Sequence, residues 1–107
     1  MNPTDDPFSV SRGVYAISVA AELTGIGVQS LRLYERHGLV QPERTDGGTR
    51  RYSAADLDRL RRVSELLAEG INLAGVARIL ALQDANDALT EANARLEDTL
   101  DAQREED

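Results

Sequence analysis

The chain has no cysteine and a single histidine in 107 residues. The absence of thiols excludes thiolate metal sites, iron–sulfur ligation, disulfides and cysteine nucleophiles. His37 has no second histidine to share a metal with, so we expect no metal site. There is also no glycine-rich phosphate loop and no carboxylate pair in an apolar setting, so the sequence predicts a protein that is not an enzyme and uses no cofactor.

Lysine is absent, aromatic residues make up only 4% of the chain, and long apolar runs are missing. No run approaches the roughly 18 apolar residues that a membrane-spanning helix needs. Residues 1–11 lack the basic and apolar regions of a secretory signal, so we expect a cytoplasmic, nucleoid-associated protein. Residues 1–13 contain Pro3, Pro7 and Gly13 without periodicity, which predicts a flexible arm.

Charge is divided unevenly along the chain, whose net charge is −7. Residues 12–62 contain nine arginines and six acids, whereas residues 83–107 contain two arginines and nine acids. The arginine-rich part suits phosphate contacts and bidentate contacts to guanine. Abundant arginine and alanine are equally typical of a GC-rich coding sequence.

Two short helices separated by a glycine turn are predicted near the N-terminus. The first spans 18–24 with Ser18 as its N-cap, and the second spans 28–37. Gly25 and Gly38 are placed to end these helices in the left-handed conformation. Leu31 points back toward the core, and this arrangement suits a helix-turn-helix.

A β-hairpin follows the second helix. Asp46-Gly47-Gly48 separates two extended segments, 40–44 and 49–52, which is a hairpin signal. Pro42 restricts its strand to a sheet edge. We interpret this hairpin as the wing of a winged helix.

Two further helices are expected to brace the first two. Ser53 is a predicted N-cap with Asp56 near the positive end of the third helix, and Gly70 ends that helix. Asn72 is placed to cap the fourth helix, whose apolar residues are Leu73, Val76, Ile79 and Leu80.

Leucines recur every seven residues in the polar segment 82–103, which predicts a dimerisation helix. Two heptad frames fit. One adds Asn86, Asn93 and Leu100 to the seam, and the other adds Ala85, Ala92 and Thr99. The predicted dimerisation residues are Leu82, Leu89, Leu96 and Leu100.

Three segments in this order resemble the MerR family of regulators: 17–25 (ISVAAELTG), 31–39 (LRLYERHGL) and 50–53 (RRYS). The resemblance covers about residues 15–82. It implies a mainly α fold, a winged helix-turn-helix with two bracing helices and a C-terminal dimerisation helix. The expected division is an arm at 1–13, a DNA-binding domain at 14–82, and a dimerisation helix with an acidic tail at 83–107.

The segments 17–23 and 69–76 also resemble the heat-shock repressor branch of the family, HspR. This resemblance implies a homodimer that represses chaperone operons at inverted repeats in double-stranded DNA, with a DnaK-type chaperone as co-repressor and RNA polymerase at the promoter. Many family members have an aromatic residue where this chain has Leu33. The cysteines of metal-sensing members are missing, so regulation by a protein partner is expected.

One face of the second helix is expected to enter the major groove. Gln29, Arg32, Leu33 and Arg36 form one helical stripe, and Ser30 lies near the helix N-terminus. Neighbours on a strand point to opposite faces, so only one of Arg50 and Arg51 can point fully at DNA, although the resemblance implies that both lie near the backbone. The predicted DNA-binding residues are Ser18, Gln29, Ser30, Arg32, Leu33, Tyr34, Arg36, Arg50, Arg51 and Tyr52, with Arg44 and Thr49 as weaker candidates.

Other functions fit parts of the sequence. A MerR-type regulator of another regulon would distort its promoter DNA, and an excisionase-like architectural protein also uses a small winged helix. A protein-interaction module with an acidic tail would have no DNA role. The fourth helix and the leucine heptads favour a transcription factor.

Overall fold

The structure, a computed structural model, describes residues 10–106 of the chain. In that range the elements are β1 (Gly13–Tyr15), α1 (Ile17–Thr24), α2 (Val28–Arg36), β2 (Glu43–Arg44), β3 (Arg50–Ser53), α3 (Ala54–Ala68) and α4 (Leu73–Glu106). This mainly helical architecture with a small sheet confirms the predicted fold class. No helix in residues 10–106 is long and apolar enough to cross a membrane. Most of the predicted arm, residues 1–9, lies outside the described part.

Two compact units divide the chain between Ala77 and Arg78. The first contains both short helices, the sheet and α3, and the second contains most of α4. The sequence suggested a fourth helix followed by a separate helix from Leu82. Instead α4 is one helix of 34 residues, because no glycine or proline between Leu80 and Leu82 interrupts it.

Glycines end both α1 and α2, as the sequence predicts. Gly25 has φ +73° and Gly38 has φ +74°, so both occupy the left-handed region at the ends of their helices. The predicted Ser18 cap is wrong, because α1 already begins at Ile17 and its N-cap, Ala16, makes no side-chain hydrogen bond. Ser18 therefore lies inside the first turn, where it is exposed.

The sheet has the order β1-β3-β2, and both pairings are antiparallel. Arg44 pairs with Arg50 across the turn, which confirms the predicted hairpin and places β2 at an edge. Strand β1 was not predicted. It pairs Gly13 with Ser53, and a Cβ at Gly13 would lie 2.5 Å from the carbonyl oxygen of Arg51, so only glycine allows this close approach.

Local capping orders the start of α3. Ser53 Oγ accepts a hydrogen bond from Asp56 N at 2.9 Å, while Asp56 Oδ2 accepts one from Ser53 N at 2.9 Å. This reciprocal capping box confirms the predicted cap. At the start of α4, Asn72 Oδ1 accepts from Gly75 N at 2.8 Å, as predicted.

The core is mainly aliphatic, but it also contains Tyr34 and Tyr52, and Tyr52 is its largest fully buried side chain. The core takes one or two side chains each from α1, α2 and β3, three from the loops after α1 and α2, and from α3 a row spaced three residues apart. In residues 10–77 the buried apolar residues are Ala20, Ile26, Leu31, Tyr34, Leu39, Val40, Tyr52, Leu57, Leu60, Val63, Leu66 and Val76.

Candidate nucleic-acid interface

Helix α2 has one buried face and one exposed face. Leu31 and Tyr34 are buried, and they fix the orientation of the helix in the core. Gln29, Arg32 and Arg36 are exposed along the opposite face. The structure therefore brings the predicted stripe together on the solvent side of α2, with Ser30 and Leu33 half-buried at its margins.

Arg32 and Arg36 have no ion-pair partner among residues 10–106. Their guanidinium groups remain available for an external anion, unlike those of Arg44 and Arg50, which are bonded to Glu35. A pair of free guanidinium groups one turn apart on an exposed helix face can neutralise phosphates or contact guanine edges.

The hairpin arginines divide into two groups. Arg44 Nη2 and Arg50 Nε both donate to the carboxylate of Glu35 on α2, each to a different oxygen. Arg51 lies next along β3, is half-buried, and donates from Nη1 to the carbonyl oxygen of Arg50 at 3.2 Å. Of the two predicted hairpin contacts, Arg50 thus has an internal partner, whereas Arg51 makes no ion pair in the described part of the chain.

Glu35 is charged in this setting. Partial burial raises the pKa of its carboxyl group, but the hydrogen bonds from Arg50 and Arg44 and their charges outweigh that effect. The pKa of Glu35 is therefore held below its ordinary value of 4.5. The same contact raises the pKa of Arg50, so the group carries two positive charges and one negative charge at neutral pH.

Two predicted contact residues lie in the core. Tyr52 is 0% exposed and Tyr34 is 9% exposed. The period of two along β3 turns Tyr52 inward, beside the start of α3. Burial raises the pKa of the Tyr52 hydroxyl, which has no hydrogen-bond partner among residues 10–106. The side chains of both tyrosines therefore pack in the core, and the fully buried side chain of Tyr52 does not reach the surface that would contact DNA.

Glu35 was not among the predicted site residues, because a carboxylate cannot itself bind phosphate. A signal was nevertheless present. Arg44 and Arg50 flank the turn residues 45–49 symmetrically, so a hairpin must place them opposite each other. Like charges at such positions repel, which predicts a nearby carboxylate.

The second unit presents a row of apolar side chains to solvent. Leu82, Leu89, Leu96 and Leu100 are 65%, 64%, 61% and 52% exposed, respectively. In residues 10–106 no group of three or more histidine, aspartate or glutamate side chains is arranged to hold a metal ion.

A helix-turn-helix with an exposed basic face beside an antiparallel hairpin defines the class of winged helix-turn-helix proteins. Residues 15–83 match the model of the MerR HTH family of regulatory proteins. The chain belongs to this family, which confirms the resemblance seen in the sequence.

Individual relatives agree with this assignment. The chain is 52% identical over 89 residues to heat shock protein HspR of Streptomyces coelicolor, covering 82% of this chain and 59% of that protein. It is 35% identical over 75 residues to the HTH-type transcriptional regulator TnrA of Bacillus subtilis, covering 70% and 68%. The chain thus spans little more than half the length of HspR.

A solved structure shares the fold. HiNmlR, a MerR family regulator lacking the sensor domain and bound to promoter DNA, superimposes with a TM-score of 0.64 at 29% identity. The superposition covers 79% of this chain and 65% of HiNmlR.

Proposed function

We propose that this chain is a sequence-specific DNA-binding transcriptional regulator that binds inverted repeats as a homodimer. The exposed α2 face with the unpaired Arg32 and Arg36 is the observation that carries the proposal. An exposed helix of this kind is what a helix-turn-helix protein inserts into the major groove. The DNA-bound state of the family member HiNmlR supports the same role.

Repression of heat-shock genes is the regulatory task that we favour. The 52% identity to HspR of Streptomyces coelicolor supports it, as does the resemblance of residues 17–23 and 69–76 to that branch. In this proposal the protein acts at the nucleoid in the cytoplasm. A DnaK-type chaperone is its co-repressor, and RNA polymerase is excluded from the bound promoter.

Footprinting on genomic DNA at two salt concentrations tests the proposal. We expect protection of inverted repeats upstream of chaperone operons, strengthened when a DnaK-type chaperone is added. Specific protection at other promoters would retain a DNA-binding regulator but remove the heat-shock role. The absence of a specific complex at both salt concentrations would overturn DNA recognition itself.

Dimerisation is assigned to the leucine row of α4. A polar helix of this length is marginally stable alone, and four exposed leucines on it can be covered by a second copy. One monomer also reads too few base pairs for useful specificity, whereas a two-fold dimer reads an inverted repeat.

Paired substitutions on α4 test the dimer. Leu89→Ala with Leu96→Ala should shift the protein toward monomer in sedimentation velocity and weaken binding to a full inverted repeat. Glu91→Ala with Asp98→Ala is the matched control, since these exposed acids have the same seven-residue spacing outside either heptad seam. Equal dimer affinity in the two double variants would rule out the leucine row as the interface.

The two heptad frames predict different effects at neighbouring positions. If Asn93 lies in the seam, Asn93→Leu should tighten the dimer, because a polar seam residue lowers stability. If Ala92 occupies the seam instead, Ala92→Leu should loosen it through steric crowding. Dimer dissociation constants of the two variants distinguish the frames.

A further inference from the structure

The Glu35 cluster, defined as Glu35, Arg44 and Arg50, connects the two elements that the proposed function brings to DNA. Glu35 lies near the C-terminal end of α2, while Arg44 and Arg50 lie on different strands of the hairpin. Oε1 of the carboxylate accepts from Arg44, and Oε2 accepts from Arg50. A single side chain of α2 is therefore bonded to both β2 and β3.

A nearby anion relieves a like-charge contact within the hairpin. Arg44 and Arg50 are direct cross-strand partners, and like charges in that relation are destabilising. Arg44 also donates from Nη1 to the carbonyl oxygen of Gly48 at 2.9 Å, so its guanidinium group spans from the turn to α2. The carboxylate of Glu35 offsets the repulsion between these two guanidinium groups.

The Glu35–Arg50 contact of the cluster is more buried than an ordinary surface pair. The side chains of Glu35, Arg50 and Arg44 are 19%, 26% and 45% exposed, against 79% and 51% for Asp58 and Arg61 of the pair on α3. Charges withdrawn from solvent are less screened by salt, and two bonds to one carboxylate fix its orientation.

We infer that Glu35 is a positioning residue that couples the hairpin to α2 and sets the distance between their DNA contacts. This inference rests on the proposed function. Arg50 and Arg44 serve the protein's own geometry, and Arg51 is the hairpin arginine directed to phosphate. Since α2 and the hairpin then approach DNA as one body, sequence recognition by α2 depends on a residue that touches no base.

Glu35→Gln tests this role, with Glu65→Gln as the matched control. Both variants remove one negative charge, but Glu65 lies on α3 in an exposed pair with Arg62. Binding is measured by fluorescence anisotropy on the protected inverted repeat and on an unrelated duplex, as a function of salt. Thermal denaturation of both variants establishes that they are folded at the assay temperature.

Glu35→Gln should lower the ratio of specific to non-specific affinity about tenfold relative to Glu65→Gln, comparable with the loss of one positioned base contact. Non-specific binding should strengthen and become more dependent on salt, because the released Arg44 and Arg50 can neutralise phosphates. An unchanged ratio would overturn the inference. An equal gain of affinity for both duplexes would also overturn it, because Glu35 would then only neutralise Arg44 and Arg50 without positioning the hairpin.

Two further comparisons guard against loss of folding, and the second of them needs no DNA. Arg44→Gln retains the Glu35–Arg50 contact, so it should reduce the specificity ratio by a smaller factor than Glu35→Gln. In the free protein, hydrogen exchange at the amide of Thr45, which donates to Thr49 O at 2.9 Å, should be faster in Glu35→Gln than in Glu65→Gln. Equal exchange would refute the coupling even if DNA binding is confirmed, whereas faster exchange in a protein that fails to bind DNA would refute only the proposed function.

Discussion

At the residue scale, the arginines of the first unit differ in what neutralises them. Arg32 and Arg36 have no carboxylate partner among residues 10–106, whereas Arg44 and Arg50 are bonded to Glu35. Removing an arginine of the first kind subtracts a contact from the DNA interface. Removing one of the second kind also leaves a partly buried carboxylate with fewer donors, so the two kinds of substitution should be distinguishable.

Arg32→Ala should weaken binding to all DNA sequences and reduce the slope of log affinity against log salt by about one, if the contact is to phosphate. Titration of a labelled duplex at four or more salt concentrations measures both quantities. Arg104→Ala is the control, because that side chain is 80% exposed near the end of α4. Affinity and slope equal to those of the control would remove Arg32 from the interface.

The lowered pKa of Glu35 predicts a pH dependence of stability. A carboxyl group with a folded-state pKa below its ordinary value of 4.5 stabilises the fold above that value, and loses this contribution as the pH falls through the folded-state pKa. The free energy of unfolding of the wild type should therefore exceed that of Glu35→Gln at neutral pH, and the difference should shrink in acid. Urea titrations from neutral pH to below pH 4.5 measure it, and a difference that grows in acid would contradict the assigned ion pairs.

At the element scale, two serines near helix starts contribute differently. Ser53 caps α3 through a reciprocal pair of hydrogen bonds, whereas Ser18 makes no capping bond in α1. The residue type is the same and both were predicted as caps. The difference comes from the preceding chain, because β1 leads directly into α1 and starts the helix before Ser18 is reached.

Ser53→Ala should lower the free energy of unfolding by about 1 kcal/mol through loss of the cap. Ser18→Ala should leave it nearly unchanged, since the exposed hydroxyl has no backbone partner to lose. Urea denaturation without DNA compares the two variants directly. Equal losses would show that the capping box does not stabilise the start of α3.

The sequence predicts elements whose causes are local and misses those with distant causes. The left-handed glycines at 25 and 38, the Asp46-Gly47-Gly48 turn and the Ser53 cap act within a few residues, and the structure confirms each. Strand β1 is only three residues long, and its partner lies nearly 40 positions further along the chain. Glu35 likewise bonds to residues 9 and 15 positions further along the chain, and no local sequence pattern contains these contacts.

At the scale of the whole chain, positive and negative charges occupy different segments. Residues 12–62 have three more arginines than acids, and residues 83–107 have seven more acids than arginines. A net charge of −7 does not favour DNA binding, but the arginines are concentrated in the segment that contains α2 and the hairpin. Residues 83–106 of the acidic segment belong to α4, and we propose that their negative charge lowers DNA affinity through long-range repulsion.

Deleting residues 101–107 should raise non-specific DNA affinity at low salt, because the deletion removes four acids and only one arginine. The gain should diminish at high salt, where the Debye length falls to a few ångströms and exposed charges are screened. Anisotropy titrations on an unrelated duplex at two salt concentrations test this, and unchanged affinity at both would refute a role of the tail in repelling DNA.

A full-length variant separates the charge of the tail from its length. Replacing Asp101, Glu105, Glu106 and Asp107 by the corresponding amides preserves the chain while removing the same four negative charges. If repulsion is the cause, this variant should reproduce the low-salt gain of the deletion and retain the wild-type dimer affinity. A gain seen only in the deletion would instead assign the effect to the shortened helix rather than to the charge of its side chains.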